Sequence, residues 1–431
     1  MSVIDRLKRL THETAPTLQD KQAIISDLRR RMDAILARRI PSVPRPAPSY
    51  HEPQQPLEDV ITGEAIENVF GACFFSRTRH NGTSTHGDRL IRDLTAIDMQ
   101  AAGLLASSPD LKHLHIGDAL FLDTETTGLS GGTGTFPFLI GLGWFEGDAF
   151  ITCQLFARDY PEERAMLAFL QEMASGKRFL VTFNGRAFDI NLLTTRYVLN
   201  RLPDPLAGKP HLDLLNPARR LLAHRTSNCR LVTLEAEVLG FTRVDDVPGA
   251  EIPQRYFDWL RSRNPHLLAD VFEHNRYDIV SMAALASHLT SVLSGRHEPR
   301  HAHPGDLLAA ARLHHERGSL DSSQHLLEAI ICSHTTPHVI DARKLLSLIH
   351  KRLGRWQQAV PIWEELLACD PGEIFAAEEL AKWCEHRIHD FERAIVLIEQ
   401  ALAHPHRYSE TDRANLTHRL NRLLTKHGKS V

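Results

Sequence analysis

Leu120-Phe121-Leu122, Phe138-Leu139-Ile140-Gly141-Leu142-Gly143, Ala149-Phe150-Ile151-Thr152 and Phe179-Leu180-Val181-Thr182-Phe183 are short, nearly uninterrupted apolar runs. Runs of this length predict strands buried on one or both faces. Between and after them the apolar residues fall at spacings of three and four. That period predicts helices over 162–174, 192–199, 231–239, 253–263 and 277–293. Strands interleaved with helices predict a layered α/β domain, with a core over 119–290 and an end near Ser294.

Beyond His301 no strand-like run occurs, and the chain repeats itself. Leu320-x-x-Ser323, Trp356-x-x-Ala359 and Phe391-x-x-Ala394 recur at steps of 36 and 35 residues, and Pro371 and Pro405 close successive units 34 residues apart. The period resembles that of tetratricopeptide repeats, in which paired helices cross where a large residue meets a small one. A non-repetitive helical bundle is the alternative. At the other end, Ile4, Leu7 and Leu10, then Ile24, Ile25, Leu28, Met32, Ile35 and Leu36, keep helical spacing among Arg29, Arg30, Arg31, Arg38 and Arg39. The prolines from Pro41 to Pro56 cannot donate the backbone hydrogen bonds of a helix or strand. The expected layout is therefore amphipathic helices at 1–40, an extended linker at 41–58, an α/β domain at 59–294 and helical repeats at 303–428.

Composition narrows the function class. The chain has 431 residues, too long for one ordinary domain, and its 42% hydrophobic and 24% charged residues exclude a wholly disordered or disulfide-scaffold protein. A formal net charge of −3 means that any polyanionic partner must be met by local basic patches. Six cysteines without a C-x-x-C pair fit reduced thiols, and the charged N-terminus has no signal-peptide core. The expectation is a cytoplasmic protein.

Candidate chemistry begins at Phe121-Leu122-Asp123-Thr124-Glu125-Thr126-Thr127-Gly128. Residues i and i+2 of a strand share a face, so Asp123 and Glu125 project together from its end. Adjacent carboxylates repel, and oxygen ligands select a hard cation such as Mg²⁺ or Mn²⁺. Phe183-Asn184-Gly185-Arg186-Ala187-Phe188-Asp189 follows a later strand, with Asn-Gly as a turn, Asp189 in the first helical turn and Phe188 on an apolar helical stripe. In His274-Asn275-Arg276-Tyr277-Asp278, His274 and Asp278 share a helical face. Each motif alone is ordinary: a solvated strand end, a helix N-terminal acid, a surface pair.

Together, in this order and separation, the three motifs resemble the DEDD superfamily of exonucleases on the ribonuclease H-like fold. The glycine-rich run 128–134, His211-Leu212-Asp213-Leu214, Leu234-Glu235-x-x-Val238-Leu239-Gly240 and Asp246-Val247-Pro248-Gly249 are similar to the bacterial YprB branch of that fold, over roughly 121–286. The resemblance implies a mixed sheet flanked by helices, followed by an all-α helical-repeat region. It also implies a divalent-metal-dependent 3′–5′ exonuclease for single-stranded DNA or RNA ends. Asp123, Glu125, Asp189 and Asp278 would hold two divalent cations about 4 Å apart. The superfamily carries its water-orienting group as a Tyr four residues before the last Asp or a His five before it. Here His274 stands four before, and its titration range suits a general base. Tyr277 is read as packing.

Asn184, Thr126 and Gly128 are candidate substrate contacts. Arg186, Arg219, Arg220, His224, Arg225, Arg230 and Arg276 are candidate phosphate contacts, with a solvated surface as the alternative. The glycine run lacks the G-K-[ST] ending of a P-loop, and Pro299 breaks the zinc-protease lettering of His297-Glu298-Pro299-Arg300-His301. Two other readings fit the same residues: a structure-specific endonuclease, and a non-cleaving module that binds nucleic acid and uses the repeats for a protein partner.

Overall fold

The computed structural model describes residues 55–128, 134–296, 303–333, 337–403 and 409–430. The N-terminal helices, all but the last four residues of the proline-rich linker, residues 129–133 and the segment 297–302 lie outside the described residues.

Among the described residues nine strands are formed: β1 Glu64–Asn68, β2 Gly71–His80, β3 Thr85–His86, β4 Arg89–Leu90, β5 Ala119–Thr126, β6 Pro137–Glu146, β7 Ala149–Phe156, β8 Phe179–Thr182 and β9 His211–Asp213. Seven make one sheet in the order β1-β2-β7-β6-β5-β8-β9, and β3 pairs with β4 separately. Neighbours from β1 to β5 are antiparallel, whereas β5, β8 and β9 run parallel. The apolar runs at β5 to β8 are the strands expected from sequence, β5, β6 and β7 extended beyond the runs and β8 ending one residue short, at Thr182. β6 and β7 join through Gly147 and Asp148, and Gly147 takes φ +63, which a tight hairpin asks of glycine.

Helices cover both faces: α1 Met99–Ala106, α2 Glu163–Ser175, α3 Asp189–Asn200, α4 Leu215–Leu222, α5 Leu231–Leu234, α6 Ile252–Ser262 and α7 His266–Ser294. α5 widens into a π-type turn over Glu235–Leu239. α7 starts at His266 rather than near Tyr277, because His274, Asn275 and Arg276 interrupt the apolar period where the helix crosses the strand ends. Strand alternation sorts the core. Leu120 and Leu122 join Leu167, Tyr197 and Tyr256 on one side of the sheet, while Ala119 and Phe121 join Ile279, Ala283 and Leu285 on the other.

α7 lies close on β6 because two strand positions lack side chains. A Cβ at Gly141 would sit 2.2 Å from Asn275 Oδ1, and one at Gly143 would sit 2.5 Å from Ile279 Cγ2. Gly141 pairs with Asp123 across the sheet, so this contact sets the height of α7 over the acids.

The C-terminal region is helical: α8 Pro304–Glu316, α9 Leu320–Ser333, α10 Pro337–Arg352, α11 Trp356–Cys369, α12 Ile374–Trp383, α13 Phe391–Leu402 and α14 Glu410–Ser430. Consecutive helices pack on one another. Leu307 and Leu308 of α8 and Leu327 of α9 share a core with Phe121 and Ile279. Leu320, Trp356 and Phe391 each open a helix, and the small residues three positions on, Ser323, Ala359 and Ala394, are fully buried. Among the described residues no helix is long and apolar enough to cross a membrane.

Candidate active site

The end of β5 carries Asp123 and Glu125 on the side of the sheet taken by Phe121, and the register shifts between Glu125 and Thr126 where pairing with β6 ends. Thr126 Oγ1 donates to the Gly128 carbonyl at 2.9 Å, which closes the strand end. Thr124 donates to Asp189 Oδ1 at 2.5 Å and links β5 to the first residue of α3. The turn before α3 is held from β9. Asp213 accepts the Asn184 and Arg186 amides at 2.8 and 3.0 Å, and Asn184 takes φ +65, which asparagine tolerates. α7 supplies His274, Asn275 and Asp278. Glu125, His274 and Asp278 each offer a ligand atom within 4.8 Å of the other two.

Electrostatics mark this cluster. Burial, then the charges of Asp278, Asp189 and Glu125, raises the Asp123 pKa well above the usual carboxylate range. Burial and the charges of Asp278 and Asp189 do the same to Glu125. Burial pushes Asp189 up to about 6 against the Thr124 hydrogen bond. Carboxylates this crowded gain most from a divalent cation, and the oxygen-rich set with one imidazole fits Mg²⁺ or Mn²⁺.

Sequence reasoning missed the partners that hold these groups. Asn275, fully buried, donates to Asp123 Oδ2 at 2.9 Å and accepts from Gln154 at 3.0 Å. Arg243, with 2% of its side chain exposed, donates to both oxygens of the enclosed Glu235 at 2.6 and 2.7 Å, to Asp246 at 3.2 Å and to Asp278. Burial opposes the Arg243 charge, yet the hydrogen bonds to Glu235 and the field of Asp278 outweigh it and raise the pKa. Glu235 is pushed upward by burial although Arg243 pulls it down. The two short bonds are those of an ionised pair. His274 Nδ1 lies 2.8 Å from Asp246 Oδ1 and 3.2 Å from Arg243 Nη1. His274 Nε2 lies 3.5 Å from Asp278 Oδ2.

Several expected contacts are engaged elsewhere. Arg225 grips the buried Asp306 at 2.8 and 2.9 Å, Arg220 pairs with Glu316, and Arg276 pairs with Glu273. Phe188 does not extend the apolar stripe of Leu192 and Leu193: it is the residue before α3 and is 51% exposed. Tyr277 packs against Phe241 with ring centroids 5.2 Å apart. Asn184, Arg186, Arg219, Arg220, Leu313 and Arg317 line a groove of about 530 Å³ that reaches Ala187, two residues before Asp189.

The raised Asp189 pKa gives a signed expectation. The folded value lies above the unfolded one, so ionising Asp189 costs stability above pH 6, and that cost is relieved as pH falls from 6 toward 4. In chelator at pH 7, Asp189→Asn should be more stable than the wild type by on the order of 2 kcal/mol, narrowing by pH 5. His80, His86 and His211, each held near 4 by burial, titrate in the opposite sense, so the difference between the two proteins is the readout. A difference independent of pH would refute the assignment.

Comparison with known proteins follows the same outline. The model of the RNase_H superfamily matches residues 120–290. The protein named "Uncharacterized protein YprB" of Bacillus subtilis (strain 168) is 34% identical over 329 residues, covering 75% of this chain and 78% of that protein. The superfamily domain points to a nuclease, a hydrolase that meets nucleic acid, and this fold normally works with divalent metals.

Proposed function

The chain belongs to the YprB family and carries an RNase_H superfamily domain at 120–290, and from that premise we propose that it is a divalent-metal-dependent 3′–5′ exonuclease acting on single-stranded DNA or RNA ends. The observation that carries this reading is the meeting of distant segments: Glu125 on β5 with His274 and Asp278 on α7, all three offering ligand atoms within 4.8 Å of one another, and Asp123 on β5 and Asp189 on α3 near enough that the charges of Asp189 and Asp278 raise the pKa of both Asp123 and Glu125. Two divalent cations held by the four acids would supply Lewis-acid stabilisation of the scissile phosphate and an activated water.

The remaining work falls to the chain's own groups. Asp246 orients His274 so that Nε2 accepts the proton of the attacking water. Asn275 fixes the Asp123 carboxylate, and Thr124 fixes that of Asp189. The exposed Phe188 ring offers a stacking face to a base, which is sequence-tolerant. Asn184 lines the groove that continues past Arg186, Arg219 and Arg317, a path for the phosphate backbone, and Thr126 and Gly128, at the end of the strand that carries Asp123 and Glu125, are further candidate substrate contacts. The buried small residues at the starts of α9, α11 and α13 support a tetratricopeptide-like C-terminal region, open to a protein partner. We place the protein in the cytoplasm.

His274→Gln keeps a polar side chain but removes the titrating base. It should lower turnover by about 10²- to 10⁴-fold with little change in KM. An unchanged turnover would remove His274 from the mechanism. A covalently closed single-stranded circle tests the mode of attack. It should survive conditions that shorten a linear strand from its 3′ end, and an opened circle would favour the endonuclease reading.

A further inference from the structure

A second set of ligand-type side chains lies where the α/β domain meets the first C-terminal helix. His224 follows α4, His303 precedes α8, Asp306 lies in the first turn of α8, and His338 lies at the start of α10. Asp306 Oδ1 is 3.3 Å from His224 Nε2 and 3.9 Å from His303 Nδ1, and the three ligand atoms all lie within 4.8 Å of one another. Metal–ligand bonds of 2.0–2.2 Å in a tetrahedron put neighbouring ligand atoms roughly 3.3–3.6 Å apart, close to what is found. The His338 ring centroid lies 6.4 Å from that of His224 and 6.0 Å from that of His303, so a third imidazole flanks the same space.

Two further features single this place out from a chance gathering of surface histidines. A Cβ at residue 305 would lie 2.2 Å from His224 Nε2, so only glycine lets that nitrogen reach the start of α8. Asp306, with no side-chain exposure, is gripped by Arg225 through both oxygens, a fork that fixes the carboxylate plane and leaves lone pairs for another partner. Beside it the buried His288 accepts from Arg89 at Nδ1, while its Nε2 has no hydrogen-bond partner and lies 3.8 Å from Asp306 Oδ2. A small closure around Asp306 would give that N–H its acceptor, the usual support for a ligating carboxylate.

We propose that His224, His303 and Asp306, with His338 as a fourth ligand, form a structural transition-metal site of the zinc type that fastens α8 to the α/β domain. Three imidazoles and one carboxylate select Zn²⁺ or Co²⁺ over Mg²⁺, unlike the oxygen-rich acids of the active site. Burial lowers the pKa of His224 and of His303 although Asp306 pulls both upward. Binding at His303 Nδ1 replaces the hydrogen bond it now accepts from the Gly305 amide at 3.1 Å. Four protein ligands from three elements leave no open position for catalysis, so the site serves cohesion.

Co²⁺ titration of the metal-stripped full chain, in excess Mg²⁺, tests this through the intense visible bands of tetrahedral cobalt. One Co²⁺ per chain should give those bands in the wild type and equally in Asp123→Asn. His224→Ala should lose them and bind Zn²⁺ more weakly by over about 100-fold. Should His224→Ala misfold by circular dichroism, His303→Ala at the exposed ligand carries the same expectation. Absent bands, or bands lost in Asp123→Asn but kept in the histidine variants, overturn the proposal.

Discussion

Asp123→Asn should lower metal-dependent hydrolysis of a single-stranded oligonucleotide by at least about a thousandfold. A metal at the reacting phosphate contributes several kcal/mol to transition-state stabilisation, and each 1.36 kcal/mol is tenfold in rate. Asp123 is deeply desolvated and repelled by Asp278, Asp189 and Glu125, so the same change should leave the metal-free protein at least as stable as the wild type. The Asn275 amide still finds an oxygen at position 123, which limits structural disturbance. Initial rates and thermal midpoints in chelator check both halves. Retained hydrolysis would remove Asp123 from the metal centre, and a large loss of metal-free stability would contradict the electrostatic account.

Arg243→Gln should destabilise the fold by about 3–5 kcal/mol, because it leaves Glu235 enclosed and unpaired and frees Asp278 and Asp246 from their shared cation. The partner change separates this from a simple packing loss. In Arg243→Gln/Glu235→Gln the uncompensated buried charge is gone, so the double variant should recover much of the stability lost in the single one. Denaturant midpoints of the four proteins in this cycle measure the coupling. Additive losses would show that Arg243 acts through bulk alone. His274 loses a neighbour at 3.2 Å in the same variant, so turnover should fall too, which marks Arg243 as a positioning residue.

Why Arg243 escaped sequence reading is instructive. Strands β5 to β8 announce themselves because each is an apolar run, and the acids of the cluster follow because Asp123 and Glu125 break such a run at its end. Arg243 sits in an irregular loop between Glu235 and Asp246, and its pairing with Asp278 spans 35 residues, a contact that leaves no periodic trace. Glu235 and Asp246 were legible only as parts of a family-like motif, with no role attached. Asn275 reads as a polar interruption of α7; its meaning emerges only when Gly141 is seen to make room for it. Phe188 shows the opposite failure, an apolar residue assigned by spacing to a helix's apolar stripe that stands exposed before the helix begins. β1 and β2 were missed because neither is an apolar run: β1 sets Ala65 and Ile66 among Glu64, Glu67 and Asn68, and β2 mixes Phe74 and Phe75 with Arg77 and Arg79, a pattern set by their place at the sheet edge.

The most direct measurement of the central claim is product analysis on 5′-labelled and 3′-labelled single-stranded DNA and RNA, with Mg²⁺, Mn²⁺ or chelator. The acid cluster predicts stepwise shortening of the 5′-labelled strand, early release of the 3′ label as a mononucleotide, and neither product in chelator. Binding of the strands in every metal without any product would contradict it, leaving a chain that holds nucleic acid on a nuclease scaffold without cutting it.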